Sequence, residues 1–211
     1  ASATSNGATA RIDDARLFRG GYAPPLILDW GYFGGGTSDP LTEAVPGGDY
    51  ELHRFSPLAD ISTKNIGRLQ MAWSQSTGAL RGHEGQPVVV EVDGKPMMYF
   101  VSAWPNIVQA LDLSDPDRPV QVWNYQKKTE RDESAVPRAC CDVVNRGLNY
   151  VDGKVIFNTL DGYLISLDAR TGKENWVVKH AYPEKGETYT GPARAADKNV
   201  IAGSRGGKPA T

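Results

Sequence analysis

A short unit recurs along this chain: an Asp-led turn followed by a strand-like segment that carries a tryptophan. It reads LDLSDPDRPVQVW at 111–123 and LDARTGKENW at 167–176. Trp73, Trp123 and Trp176 hold equivalent places in three such segments, at a spacing of about 50 residues. Between them lie apolar runs broken by Asp-Gly pairs. QPVVVEVDGKPMMYFVSA (86–103) reads as a hairpin turning at Asp93-Gly94, with 107–116 as a third strand and 120–126 as a fourth. The same order returns over 148–180, with turns at Asp152-Gly153, Asp161-Gly162 and Thr171-Gly172. Upstream, 61–68 reads as a capped turn or short helix and 69–78 as a strand ending in Thr-Gly.

Four strands per unit predict an all-β chain built of β-propeller blades. The 23 glycines and 14 prolines cut the chain into short pieces and leave few stretches with a helical period. A blade buries its faces only against neighbouring blades. At about 50 residues per blade, this length holds roughly three, whereas closed rings use about four to eight. The expectation is a set of N-terminal blades whose ring is completed by a second polypeptide or another fragment. Residues 1–50, with GYFGGGTSDP (31–40) and VPGGDY (45–50), read as an irregular arm and loops. No strand–glycine-loop–helix pattern surrounds these glycines, so they do not read as a phosphate cradle. Residues 51–205 read as the blades, and 206–211 as a flexible end, cleavage point or insertion point.

The formal net charge of −2 gives no basic face for nucleic acid. No window approaches the roughly 18 consecutive apolar residues of a membrane-spanning helix. The opening ASATSNGATAR is small and polar, as signal peptidase leaves an exported protein.

The chain's two cysteines, Cys140 and Cys141, are adjacent in RACCDVVNRG (138–147). A bond between them would close a small ring and distort the enclosed peptide. It would add little stability by loop closure. Its use would be local, as a rigid, flat, polarizable surface. The alternative is a pair of free, buried thiols behaving as small hydrophobes. His53, His83 and His180 form no metal-ligating pattern. His83 reads as structural, and Asp142 as a turn-capping residue.

RACCDVVNRG closely resembles the motif of pyrroloquinoline quinone (PQQ) alcohol dehydrogenases, the methanol dehydrogenase group above all. TGALRGHEGQPVV (77–89), SAWPNIVQALDL (102–113) and TGPARAADKNVIAG (190–203) resemble three further segments of that family. Its tryptophan repeats resemble the docking motifs of the eight-bladed quinoprotein propeller. The resemblance spans about residues 50–205. It implies a Cys140–Cys141 disulfide stacked on one face of PQQ, with Arg146 and Glu84 at the cofactor's acid groups and Thr190 in contact with it. The chemistry of these residue types agrees. A planar tricarboxylate needs flat faces and cationic or hydrogen-bonding partners, and arginine offers a permanently charged fork.

The implied reaction is oxidation of a primary alcohol to an aldehyde, with Ca2+ or a lanthanide ion polarising the quinone. A periplasmic cytochrome c would accept the electrons. Where the family places a metal-binding glutamate after the Thr190 segment, an ungapped reading puts Lys208. The family's catalytic base, its metal-ligating asparagine and the tryptophan over the other cofactor face fall in later blades. Two other readings compete. One is a non-catalytic propeller scaffold, which leaves the cysteine and RGHEG motifs unexplained. The other is a degenerate quinoprotein without metal, suggested by Lys208. A redox-cycling cysteine pair is a weaker third.

Overall fold

The computed structural model describes residues 61–204 except Gln70, Ala72, Pro116, Thr129, Glu130, Asp197 and Lys198, together with the backbone of three short upstream strands. Those are β1 (Arg11–Asp13), β2 (Ile27–Asp29) and β3 (Glu43–Ala44). Most of the N-terminal arm, and the end from 205 onward, lie outside the described residues.

Two antiparallel blades form the body. The first is β4 (Val88–Val92), β5 (Lys95–Val101), β6 (Val108–Asp112) and β7 (Val120–Tyr125), in that order. A break follows, containing a 3-10 helix, Glu133–Arg138, and β8 (Cys140–Val143). The second blade is β9 (Asn149–Val151), β10 (Lys154–Asn158), β11 (Tyr163–Asp168) and β12 (Glu174–Lys179), with β3 added beside β9. A third sheet begins with β13 (Arg194–Ala196) and β14 (Asn199–Ile201).

The expected hairpins turn where the Asp-Gly pairs stand. Asp93 and Gly94 have φ of 53° and 75°, and Asp152 and Gly153 have 46° and 71°. Two successive positive φ angles match the right-handed twist of the flanking strands. The tryptophan repeat is also real in three dimensions. Trp123 faces Ala110 and Trp176 faces Ser166, and each register shifts at the next pair. The third expected tryptophan strand is not formed. Among the described residues of 69–78 there is no strand. Side chains hold this stretch instead of a ladder: Gln75 donates to Gln109 at 2.9 Å, and Gln109 donates to the Ser76 carbonyl at 3.0 Å. Trp73 packs against the cluster of Val89, Leu111 and Leu113 on the first blade.

Alternation in the strands builds the core between the blades. Val88, Val90, Tyr99, Val101 and Val108 of the first meet Leu148, Val155, Phe157, Ile165 and Leu167 of the second. The opposite face of the second blade carries Ile156 and Leu164, which pack with Ala193 and Val200. The blades are locked at one turn. The Ala169 carbonyl accepts the Trp123 indole N–H and the Tyr99 hydroxyl, each at 3.0 Å. Burial, above all, pushes the Tyr99 phenol well above its ordinary pKa, so it stays a donor. Arg170 grips Asp93 through Nε at 2.6 Å and Nη2 at 2.7 Å.

Gly172 completes the lock. Its φ is +68°, and a Cβ there would lie 2.7 Å from Trp123 Cδ2. Gly172→Ala is therefore expected to lose about 2–4 kcal/mol, combining backbone strain with overpacking. Urea denaturation of the assembled protein measures it, and a loss below about 0.5 kcal/mol contradicts this docking.

Candidate functional site

The break between the blades builds the site. Asp132 accepts the Ser134 amide at 2.9 Å and caps the 3-10 helix. Bonds from Ser134, the hydroxyl foremost, hold its carboxyl below the usual carboxylate range. The helix buries Ala135 against Ala103, Val143 and Leu160. Its C-terminal residue leads through Ala139, whose N–H donates to the Ala135 carbonyl, straight into Cys140. On the far side the Trp104 amide donates to the Val143 carbonyl at 2.9 Å. The chain is thus pinned on both sides of the cysteines, while Cys140, Cys141 and Asp142 are exposed.

Cys140 and Cys141 are joined by a disulfide, with Cα atoms 3.8 Å apart, and the described residues hold no free cysteine. The buried-thiol alternative is overturned: the pair is bonded and faces outward. The RGHEG segment lies along 142–147 like one side of a zipper. Arg81 Nη1 is 2.7 Å from Asp142 Oδ1 at one end. Glu84 Oε2 is 3.1 Å from Arg146 Nη2 at the other. Between them a Cβ on Gly85 would lie 3.0 Å from the Asn145 carbonyl oxygen, so the backbones approach too closely for a side chain. Gln86 then bridges in parallel to Gly147.

Thr190 arrives from the far side. Its hydroxyl accepts Arg146 Nη1 at 2.9 Å, and its carbonyl accepts the Arg146 amide at 3.0 Å. The buried Asn145 and Asn158 carry this stitching inward. Asn145 donates to the Asn158 carbonyl at 2.8 Å, and Asn158 donates to the Gly191 carbonyl at 2.9 Å. Glu84, Arg146 and Thr190, three residues far apart in sequence, therefore form one contact set. The Arg146 and Glu84 side chains remain 40% and 49% exposed, so the guanidinium keeps an open edge.

His83 Nε2 sits 2.6 Å from the Thr77 hydroxyl and ties its loop. Asp142, read from sequence as a turn cap, lies within β8, and its carboxylate pairs with Arg81. Sequence reasoning missed that pair, although both residues stood inside the motifs. Lys208 lies outside the described residues. Among the described residues there is no group of three or more His, Cys, Asp or Glu side chains that could hold a metal. No helix among them is long and apolar enough to cross a membrane.

Two four-stranded blades docked through a tryptophan, with an outward-facing disulfide in the connection between them, have the architecture of part of a β-propeller. The comparisons with known proteins give the family. Residues 44–188 match the family model described as PQQ glucose/ethanol/alcohol dehydrogenase, beta-propeller domain. The chain belongs to the PQQ-dependent alcohol dehydrogenase family.

It is 50% identical over 160 residues to a lanthanide-dependent methanol dehydrogenase of Methylacidiphilum fumariolicum, covering 76% of this chain and 25% of that protein. It is 37% identical over 174 residues to methanol dehydrogenase [cytochrome c] subunit 1 of Paracoccus denitrificans, covering 80% and 26%. The solved structure of a europium-containing methanol dehydrogenase superposes with a TM-score of 0.69 at 49% identity, covering 76% of this chain and 27% of that one. The chain thus spans about a quarter of the length of these relatives.

Proposed function

We propose that this chain supplies the disulfide-bearing face of a PQQ pocket in an enzyme that oxidises a primary alcohol to an aldehyde. The convergence of Glu84, Arg146 and Thr190 beside the outward-facing Cys140–Cys141 disulfide carries this reading. The residues fit the cofactor's chemistry: a flat face for its ring and a half-exposed guanidinium for its acid edge. When bound, PQQ with Ca2+ or a lanthanide ion supplies the two-electron acceptor for the alcohol's hydride.

This chain's own part is binding and orientation. The disulfide covers one ring face and keeps water from it. Arg146 is already fixed by Thr190 and Glu84, so it meets a cofactor carboxylate with little rotamer freedom left to lose. Arg146, already paired with Glu84, would offset the like charges of that carboxylate and the cofactor's acid groups. The general base and the metal ligands belong to later blades of the complete propeller. A cytochrome c accepts the electrons, in the periplasm.

The test is alcohol-dependent dye reduction by the assembled protein, reconstituted with PQQ and either Ca2+ or La3+. Activity that needs PQQ and falls on replacing both cysteines supports the reading. PQQ-independent behaviour unchanged by that replacement would return the chain to the scaffold reading.

A further inference from the structure

We infer that Arg81 and Asp142 form a positioning brace for the disulfide, setting the tilt of the flat face. Asp142 directly follows Cys141 and has a φ of +59°, a left-handed conformation that a residue with a Cβ adopts at a cost. Something must hold it there. Beyond the backbone pairing of β8, little packing does, because Cys140, Cys141 and Asp142 are all exposed. Among the described residues, the side-chain hydrogen bond that reaches these three comes from Arg81 Nη1, at 2.7 Å to Asp142 Oδ1.

The segment that follows Arg81 is tied down. Arg81 sits four residues before Gly85, which lies against the backbone of Asn145 and Gly147, and three before Glu84, which holds Arg146. The brace therefore fixes two distances at once. It sets the disulfide relative to the RGHEG segment, and through Glu84 it sets the disulfide relative to the Arg146 fork. A planar ligand that stacks on the one and bonds the other requires that spacing. The Arg81 and Asp142 side chains are 56% and 45% exposed. Exposed pairs contribute little to folding, so the brace acts on ligand geometry and not on whether the protein folds.

This inference rests on the PQQ reading, and its test separates the two. In the assembled protein, stripped of cofactor and titrated with PQQ, Arg81→Met raises the dissociation constant about tenfold, the scale seen when supports of a ligand site are removed. The melting temperature stays that of the parent, and no free thiol appears on denaturation. Arg81→Lys restores part of the affinity, and the reversed pair Arg81→Asp with Asp142→Arg restores more than either single change. Unaltered PQQ affinity in Arg81→Met overturns the brace. A parent protein that takes up no PQQ sinks the functional reading instead. Hydrogen–deuterium exchange then decides the brace alone. Peptides covering 139–144 exchange several-fold faster in Arg81→Met, with the blade strands unchanged; equal exchange overturns it.

Discussion

Asp161→Ala is expected to remove about 3–5 kcal/mol of folding stability, the cost of breaking a buried ion pair by taking away one side of it. Asp161 is fully buried in the turn between β10 and β11, and Lys127 is only 6% exposed. Lys127 Nζ lies 3.3 Å from Asp161 Oδ2 and 3.2 Å from the centre of the Tyr163 ring. The same carboxylate oxygen accepts the Asp132 amide at 3.2 Å, and the other accepts the Thr159 hydroxyl at 2.5 Å. Removing the carboxylate takes away the buried counter-charge beside Lys127 and the acceptor that the Asp132 amide and the Thr159 hydroxyl use.

The damage reaches the site, because Asp132 starts the 3-10 helix that delivers Cys140. Urea denaturation of the assembled protein measures the loss. Replacing both charges, with Asp161→Leu and Lys127→Met, is expected to recover much of it, since a neutral, packed pair often equals a buried ionic one. A loss below about 1 kcal/mol in Asp161→Ala would mean the pair is not the anchor described.

Arg146→Met is expected to weaken PQQ binding about 10- to 100-fold, the value of one charged hydrogen bond at about 1.5–3 kcal/mol. The fold should survive. The Arg146 amide still donates to the Thr190 carbonyl, and the removed side chain is 40% exposed. What disappears is the cation that offsets the like charges of Glu84 and the ligand's acid edge. Without it, the negative charge of Glu84 adds to the loss. Arg146→Lys should not restore affinity, because an ammonium cannot serve Thr190, Glu84 and a ligand carboxylate with one planar fork. Fluorescence titration with PQQ reads this directly. Equal affinity in the parent and Arg146→Met would place the cofactor elsewhere.

Much of the fold was legible because its signals are local. Asp93-Gly94 and Asp152-Gly153 dictate hairpins by the φ angles they accept. The apolar runs at 88–92 and 154–158 mark strands that are buried on both faces. The tryptophan period marks the last strand of each blade, and Trp123 and Trp176 obey it. Trp73 does not, because nothing in LQMAWSQSTG distinguishes a residue that pairs in a ladder from one that packs on a sheet face. That difference lies in Gln75 and Gln109, whose contacts are set by tertiary structure.

The candidate site divides the same way. Cys140, Cys141, Glu84, Arg146 and Thr190 were legible through motifs that resemble a known family. The contact joining Glu84 to Arg146 spans two segments, and no local pattern states it. Arg81 with Asp142, and Lys127 with Asp161, were invisible for the same reason. Charged residues in loops look alike in sequence, whether they end in water or against a partner 61 or 34 positions away.

The most direct measurement is native mass spectrometry of the assembled protein after incubation with PQQ and Ca2+ or La3+, beside a variant with Cys140 and Cys141 both changed to alanine. The account predicts that the parent carries the mass of one PQQ and one metal ion, and that the variant loses most of the PQQ. A parent that stays free of PQQ under both metals, or a variant that retains PQQ as well as the parent does, would contradict the claim that this chain provides a face of the cofactor pocket.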